Sequence, residues 1–239
     1  MVDTLILALV LIPCLVVAIV FHEVAHGYAA KRLGDPTASN LGRLTLNPIP
    51  HVDPVGTLLV PGVLALLGGP VFGWAKPVPV NKRRLDNPRY GMMAVAAAGP
   101  ASNFVIAFVA AILFGLFAPD GATFGSTASS AMLIEDAAGD FRPLTTMLFY
   151  MILLNVFLGM FNLLPIPPFD GSHIVGGLLP RSMQAGWEKL QQIGMFLLIA
   201  LIVASWVFGT GWIAQVVMPP VMWAVEQYLT VAEGVAGLL

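Results

Sequence analysis

Apolar residues in this chain gather into long unbroken runs rather than the short alternations of a soluble sheet. The first run covers about 4–33. At ~1.5 Å per residue a helix there spans a ~30 Å hydrocarbon layer with its last turns emerging. Gly34, Asp35 and Pro36 end it. Further runs predict spanning helices over about 90–117, 143–164 and 193–208, and a last apolar helix is predicted over about 212–229. The last contains Pro219 and Pro220, which make it a kinked span or an interfacial helix. The stretch 55–72 is apolar but broken by Gly56, Pro61, Gly62, Gly68, Gly69 and Pro70, a pattern that predicts a re-entrant or kinked hairpin. Prolines exclude a helix over Lys76–Asn81 and predict a short extended segment; 118–141 reads as a polar, acidic loop. The expected fold is all-α: one membrane-embedded domain over 1–239, a polytopic helical bundle without internal repeats.

Composition strengthens the membrane reading. Hydrophobic residues make up 58% of the chain and charged residues 10%, too few charges to coat a soluble fold, where about a quarter of residues are charged. The net charge of −2 and the lack of a basic stripe argue against a nucleic-acid partner. The single cysteine, Cys14, lies in the first apolar run, where it reads as a small buried hydrophobe. That run has only Asp3 before it and no small-residue cleavage site after it. It continues into His22 and Glu23, so it reads as a retained helix rather than a signal peptide.

Charge bias orients the helices. Lys31, Arg32 and Arg43 follow the first; Lys76, Lys82, Arg83, Arg84 and Arg89 precede the second; Arg181 and Lys189 follow the third. The loop between the second and third holds Asp120, Glu135, Asp136 and Asp140 against Arg142. Basic loops in the cytoplasm and an outside N-terminus satisfy this pattern. It also requires 55–72 to return to the side it left. Trp206, Trp212 and Trp223 fit an interfacial belt.

Within the first helix, His22-Glu23-Val24-Ala25-His26 forms an H-E-x-x-H motif. Residues at i and i+4 share one helical face, so two imidazoles there can converge on one tetrahedral metal ion. Glu23 projects beside them, where it can take a proton from an attacking water. Ionisable groups beside a membrane span are costly and mark function more often than decoration. A catalytic zinc site needs a third protein ligand, for which His51, His173 and Asp170 are candidates. Topology favours Asp170, which follows the third span on the side where the first helix emerges.

Three motifs together resemble the site-2 protease family of intramembrane zinc metalloproteases, peptidase family M50. They are Phe21–Tyr28 (FHEVAHGY), Ala97–Asn103 (AAGPASN) and Asn162–Gly171 (NLLPIPPFDG). The resemblance implies one zinc ion on His22, His26 and Asp170, with Glu23 as general base. It implies substrate or oxyanion contacts for Asn103 and Asn162. It further implies a substrate with a transmembrane helix, such as an anti-sigma factor or another membrane-tethered regulator, cut near the cytoplasmic face of a prokaryotic cell membrane. PDZ-like and CBS-like segments are not recognisable, so the likeness is to small core-only members. The stretch 73–81 is similar to an edge strand that can pair with an unwound substrate backbone.

Other residues have plainer readings. His51 is expected to be structural or at the surface. His173, three residues past Asp170, would hydrogen-bond a ligand carboxylate from outside the metal shell. The glycines and alanines of 94–103 suit close helix packing. Two other functions compete: a metal-ion or solute transporter, which the broken stretch 55–72 would suit, and a scaffold that binds a membrane helix without cutting it. Glu23 beside the histidine pair speaks against both.

Overall fold

The computed structural model describes residues 2–66, 73–118, 123–126 and 132–238. The helices are α1 (Val2–Arg32), α2 (Thr37–Asn40), α3 (Val60–Leu66), α4 (Pro88–Phe117), α5 (Pro143–Asn162), α6 (Asp170–Leu178), α7 (Arg181–Gln192), α8 (Gly194–Val207) and α9 (Trp212–Ala236). Three of them are long and apolar enough to cross a membrane: Leu5–Arg32 of α1, all of α4 and all of α5. Large apolar side chains such as Leu5, Leu9 and Ile12 on α1 and Val105, Phe108 and Val109 on α4 are exposed. In water such stripes would drive association; in a bilayer, lipid covers them.

Helix ends follow local chemistry. The chain leaves α1 through Gly34, whose φ of 98° suits glycine. Asn87 Oδ1 accepts from the amides of Arg89 and Tyr90, both at 3.1 Å, and Pro88 opens α4 without an orphaned N–H. Pro165, Pro167 and Pro168 prevent α5 from continuing beyond the loop that leads to Asp170.

Two expectations are corrected. The expected span at 193–208 is the 14-residue α8, which at about 21 Å is too short to cross alone. It joins the amphipathic α7 through a 57° bend, and only the pair together passes as a span. The acidic loop 118–141 is not simply a loop. Within it β1 (Thr123–Ser126) pairs antiparallel with β2 (Met132–Glu135), Thr123 opposite Glu135. Burial of Leu133 and Ile134 favours the strand, and the Ile134 amide donates to Thr146 Oγ1 at 2.9 Å. Asp120 of that loop lies outside the described residues. The stretch 73–81 is non-helical as its prolines demand, and it joins no strand ladder among the described residues.

The residues group into two compact units. One comprises the chain up to Ala18, Asn103–Leu158 and Pro220–Leu239. Its core holds Val10, Cys14, Ile134, Phe149 and Tyr150, with Leu7, Leu11, Phe114 and Leu229 against them. Buried Asn103 uses Nδ2 to donate to Ala18 O at 3.1 Å and to Asn155 Oδ1 at 2.8 Å, tying α4 to α1 and α5.

The other unit comprises Ile19–Ser102 and Gly159–Pro219. Ala30, Leu85 and Val95 form a core cluster, with Leu33, Val80 and Met92 packed on it. A π-helical turn, Pro54–Leu59, leads into α3 and is capped by Asp53, which accepts from the amides of Val55 and Gly56. The chain returns to the same place: Trp74 N–H donates to Gly56 O at 3.1 Å, and Thr57 Oγ1 donates to Trp74 O at 2.9 Å. These bonds bring Trp74 back to the start of the π-helical turn. Residues 67–72 of that expected hairpin lie outside the described residues.

Packing at two glycines makes a paired test. A Cβ on Gly115 would lie 2.3 Å from Ala232 O, whereas one on Gly234 would meet nothing within 4 Å. Gly115→Val should destabilise by about 1–3 kcal/mol through overpacking. Gly234→Ala should be neutral or stabilising by up to about 1 kcal/mol. Thermal unfolding in detergent reads both.

Candidate metal centre

His22 and His26 stand one turn apart on α1, both buried, with Nε2 atoms 3.0 Å from each other. Asp170, the first residue of α6, brings its Oδ2 to 3.1 Å from His22 Nε2 and 3.3 Å from His26 Nε2. Among the described residues, these three form the group of His, Cys, Asp or Glu side chains with metal-binding geometry. The donor spacings match a tetrahedral zinc, whose ligands at ~2.0 Å sit about 3.3 Å apart. Asp170 Oδ2 is buried and receives no properly directed hydrogen bond, so a cation fits the lone pairs gathered there.

The support beneath these three residues is specific. His26 Nδ1 meets Val95 O of α4 at 2.7 Å. Donation to that carbonyl puts the ring proton on Nδ1 and leaves Nε2 as a lone-pair donor for metal. Gly99, one turn after Val95, lets α4 pass against the imidazoles: a Cβ there would lie 2.4 Å from both Cε1 and Nε2 of His26 and 2.7 Å from His22 Cε1. The small-residue stretch 94–103 therefore does pack closely, and what it packs against is the metal-binding pair. Gly171 does the same for Asp170, since a Cβ would lie 2.3 Å from Leu163 O and 2.4 Å from Leu164 O. Only glycine lets the first turn of α6 press on the end of α5. Phe169 is buried beside Phe161, ring centroids 4.4 Å apart.

Glu23 lies beside the histidines on α1, and its Oε2 accepts from Val78 N–H at 2.7 Å. No pattern in the sequence points to this amide or to the Val95 carbonyl, because both are main-chain groups.

The remaining expected site residues fall in different places. His51 is structural as expected but buried rather than at the surface: Nε2 meets Thr45 O at 3.0 Å, and its carbonyl accepts from Lys76 N–H at 2.9 Å. The ring of His173 bonds Gln191 Nε2 of α7 at 3.2 Å, not the Asp170 carboxylate. Trp187 Nε1, which donates to Ser172 O at 2.8 Å, pins α7 in the position that allows this. Burial holds the His173 imidazole below its usual pKa, against the pull of Asp170. His173 also lines a cavity of about 220 Å³ with Lys82, Arg89, Met92, Trp187 and Gln191. Asn162, the last residue of α5, is half-buried. Asn103 belongs to the helix clasp described above, its amide donor shared between two buried acceptors.

Gly99→Ala favours α4 as a helix but drives a methyl into the imidazoles. Zinc affinity should fall at least about tenfold with the protein still folded. Asp170→Asn, which keeps the volume and removes the charge, should lower it further. Metal content after dialysis against a graded chelator measures both.

The sequence profile of peptidase family M50 matches residues 10–205. The Bacillus subtilis protein named "Putative zinc metalloprotease YwhC" is 39% identical over 193 residues, covering 81% of this chain and 80% of that protein. The similarly named Rip2 of Mycolicibacterium smegmatis is 28% identical over 182 residues, covering 76% and 62%. Rip2 of Mycobacterium tuberculosis is 26% identical over 201 residues, covering 81% and 68%. No solved structure matches the chain significantly. With the profile covering most of the chain and the motif residues converging in space, the protein belongs to peptidase family M50 and is a membrane zinc metalloprotease.

Proposed function

We propose that this protein is an intramembrane endopeptidase of the site-2 type that holds one zinc ion and hydrolyses a peptide bond in or near the transmembrane helix of a membrane-tethered substrate. The observation that carries the reading is the 3.0–3.3 Å convergence of Asp170 with His22 and His26, which lie on a helix apolar enough to span a bilayer. Zinc on these ligands supplies a Lewis acid that polarises a carbonyl and makes water nucleophilic near neutral pH. Glu23 takes the proton of the attacking water and returns it to the leaving amine. His22, His26 and Asp170 would hold the ion and would leave room beside it for water and substrate.

A transmembrane helix hides its own peptide bonds, so the substrate must be unwound locally before attack. The extended stretch 73–81 passes beside Glu23 and supports the reading that an unwound substrate backbone pairs there. Asn162 ends α5 where the turn through Pro165, Pro167, Pro168 and Phe169 toward Asp170 begins, and its half-buried position suits a contact with substrate or oxyanion. Charge bias supports a cytoplasmic depth for the site and an outside N-terminus in a prokaryotic cell membrane. Substrates of this kind are tethered regulators such as anti-sigma factors.

The test uses protein purified in detergent, with bound zinc measured and a membrane-helix substrate supplied. Glu23→Gln should keep its zinc and lose about 10²–10⁴-fold in kcat. His22→Ala should lose both zinc and cleavage. A Glu23→Gln protein that cuts as fast as wild type would overturn the reading.

A further inference from the structure

The extended strap 73–81 runs along the face of α1 that carries Glu23, and side chains hold its backbone at several points. Arg43 donates to Lys76 O at 2.9 Å and to Pro77 O at 3.3 Å. Asp35 Oδ2 accepts from Asn81 N–H at 2.6 Å. Between these anchors lies Val78, buried, whose N–H donates to Glu23 Oε2 at 2.7 Å. Pro77 and Pro79 carry no N–H, so Val78 supplies the one amide donor between Lys76 and Val80. Gly27, one turn after Glu23 on the same face, makes the approach possible: a Cβ there would lie 2.9 Å from Val78 Cγ1 and 2.3 Å from Leu44 Cδ2.

A glutamate side chain has three torsions to order before its carboxylate can act, and each ordered torsion lowers the fraction of time the carboxylate spends in place. A donor fixed on one oxygen removes much of that freedom beforehand. We infer that the Val78 main-chain amide is the positioning group for Glu23, holding Oε2 so that the other oxygen is presented to the attacking water. The inference rests on the proposed protease function and adds a residue outside the three motifs. The flanking prolines make the device specific, because they leave no neighbouring donor to which Glu23 could slip.

Val78→Pro deletes this one N–H in a segment that is already proline-rich. Val78→Ala keeps the N–H and removes the packing. Replacing Val78 by its α-hydroxy acid keeps the side chain and exchanges N–H for oxygen, which decides the matter if Val78→Pro fails to fold. Zinc content, kcat and KM are measured for each beside wild type and Glu23→Gln. The expected result is a kcat lowered about tenfold or more in the N–H-deleted proteins, with KM within about twofold and zinc unchanged, while Val78→Ala stays near wild type. Wild-type kcat in the α-hydroxy variant, or a raised KM alone, overturns the inference and leaves the protease reading standing. A wild type that does not cut overturns both.

Discussion

Three lone-pair donors held about 3 Å apart repel one another unless a metal ion or a proton lies among them, and the unit that contains the site is organised around that constraint. The pitch of α1 aligns two of the donors. The third arrives from a residue far along the chain, and its placement depends on how α6 starts. Gly99 and Gly171 remove the side chains that would keep the segments apart. Val95 O fixes the orientation of one imidazole. Each is an ordinary packing or hydrogen-bonding feature, and together they bring three donor atoms to the spacing that a metal ion needs.

The strap obeys a second constraint. Non-helical backbone packed against protein must find partners for its polar groups. The strap cannot satisfy them within itself, because two of its residues are prolines and it joins no sheet among the described residues. Charged side chains from elsewhere in the unit take over: Arg43 on carbonyls, Asp35 and Glu23 on amides. In a chain with only 10% charged residues, three charges on one short segment are a concentrated use of a scarce resource. Glu23 thereby belongs to two systems, the metal centre and the strap.

Much of this is legible in the sequence. The three spans follow from run length, and the His22–His26 pair follows from helical spacing. Topology alone favours Asp170 as the third donor, and its distances to the histidines agree. What is not legible shares a physical cause: main-chain groups have no sequence signature. The Val95 carbonyl and the Val78 amide are such groups. The β1–β2 pair escapes notice because four-residue strands are too short for alternation to stand out in a polar stretch. The bounds of α8 are read to within a residue, but an apolar run does not show that the helix before it joins it through a 57° bend. The family resemblance implies a site role for Asn103; its neighbours show a residue that clasps helices.

The shared membership of Glu23 has a consequence for substrate selection. Strap and Glu23, the proposed general base, are joined by one short hydrogen bond, while the strap is fixed independently at Arg43 and Asp35. A substrate backbone that pairs with the strap would press on a segment that cannot yield freely, so its register would be set relative to Glu23 rather than to the strap alone. Helical substrate offers no free backbone groups and cannot pair. An unwound one could, and it would meet Glu23 already held in position. Discrimination between wound and unwound helix and orientation of the base would then depend on the same few main-chain groups.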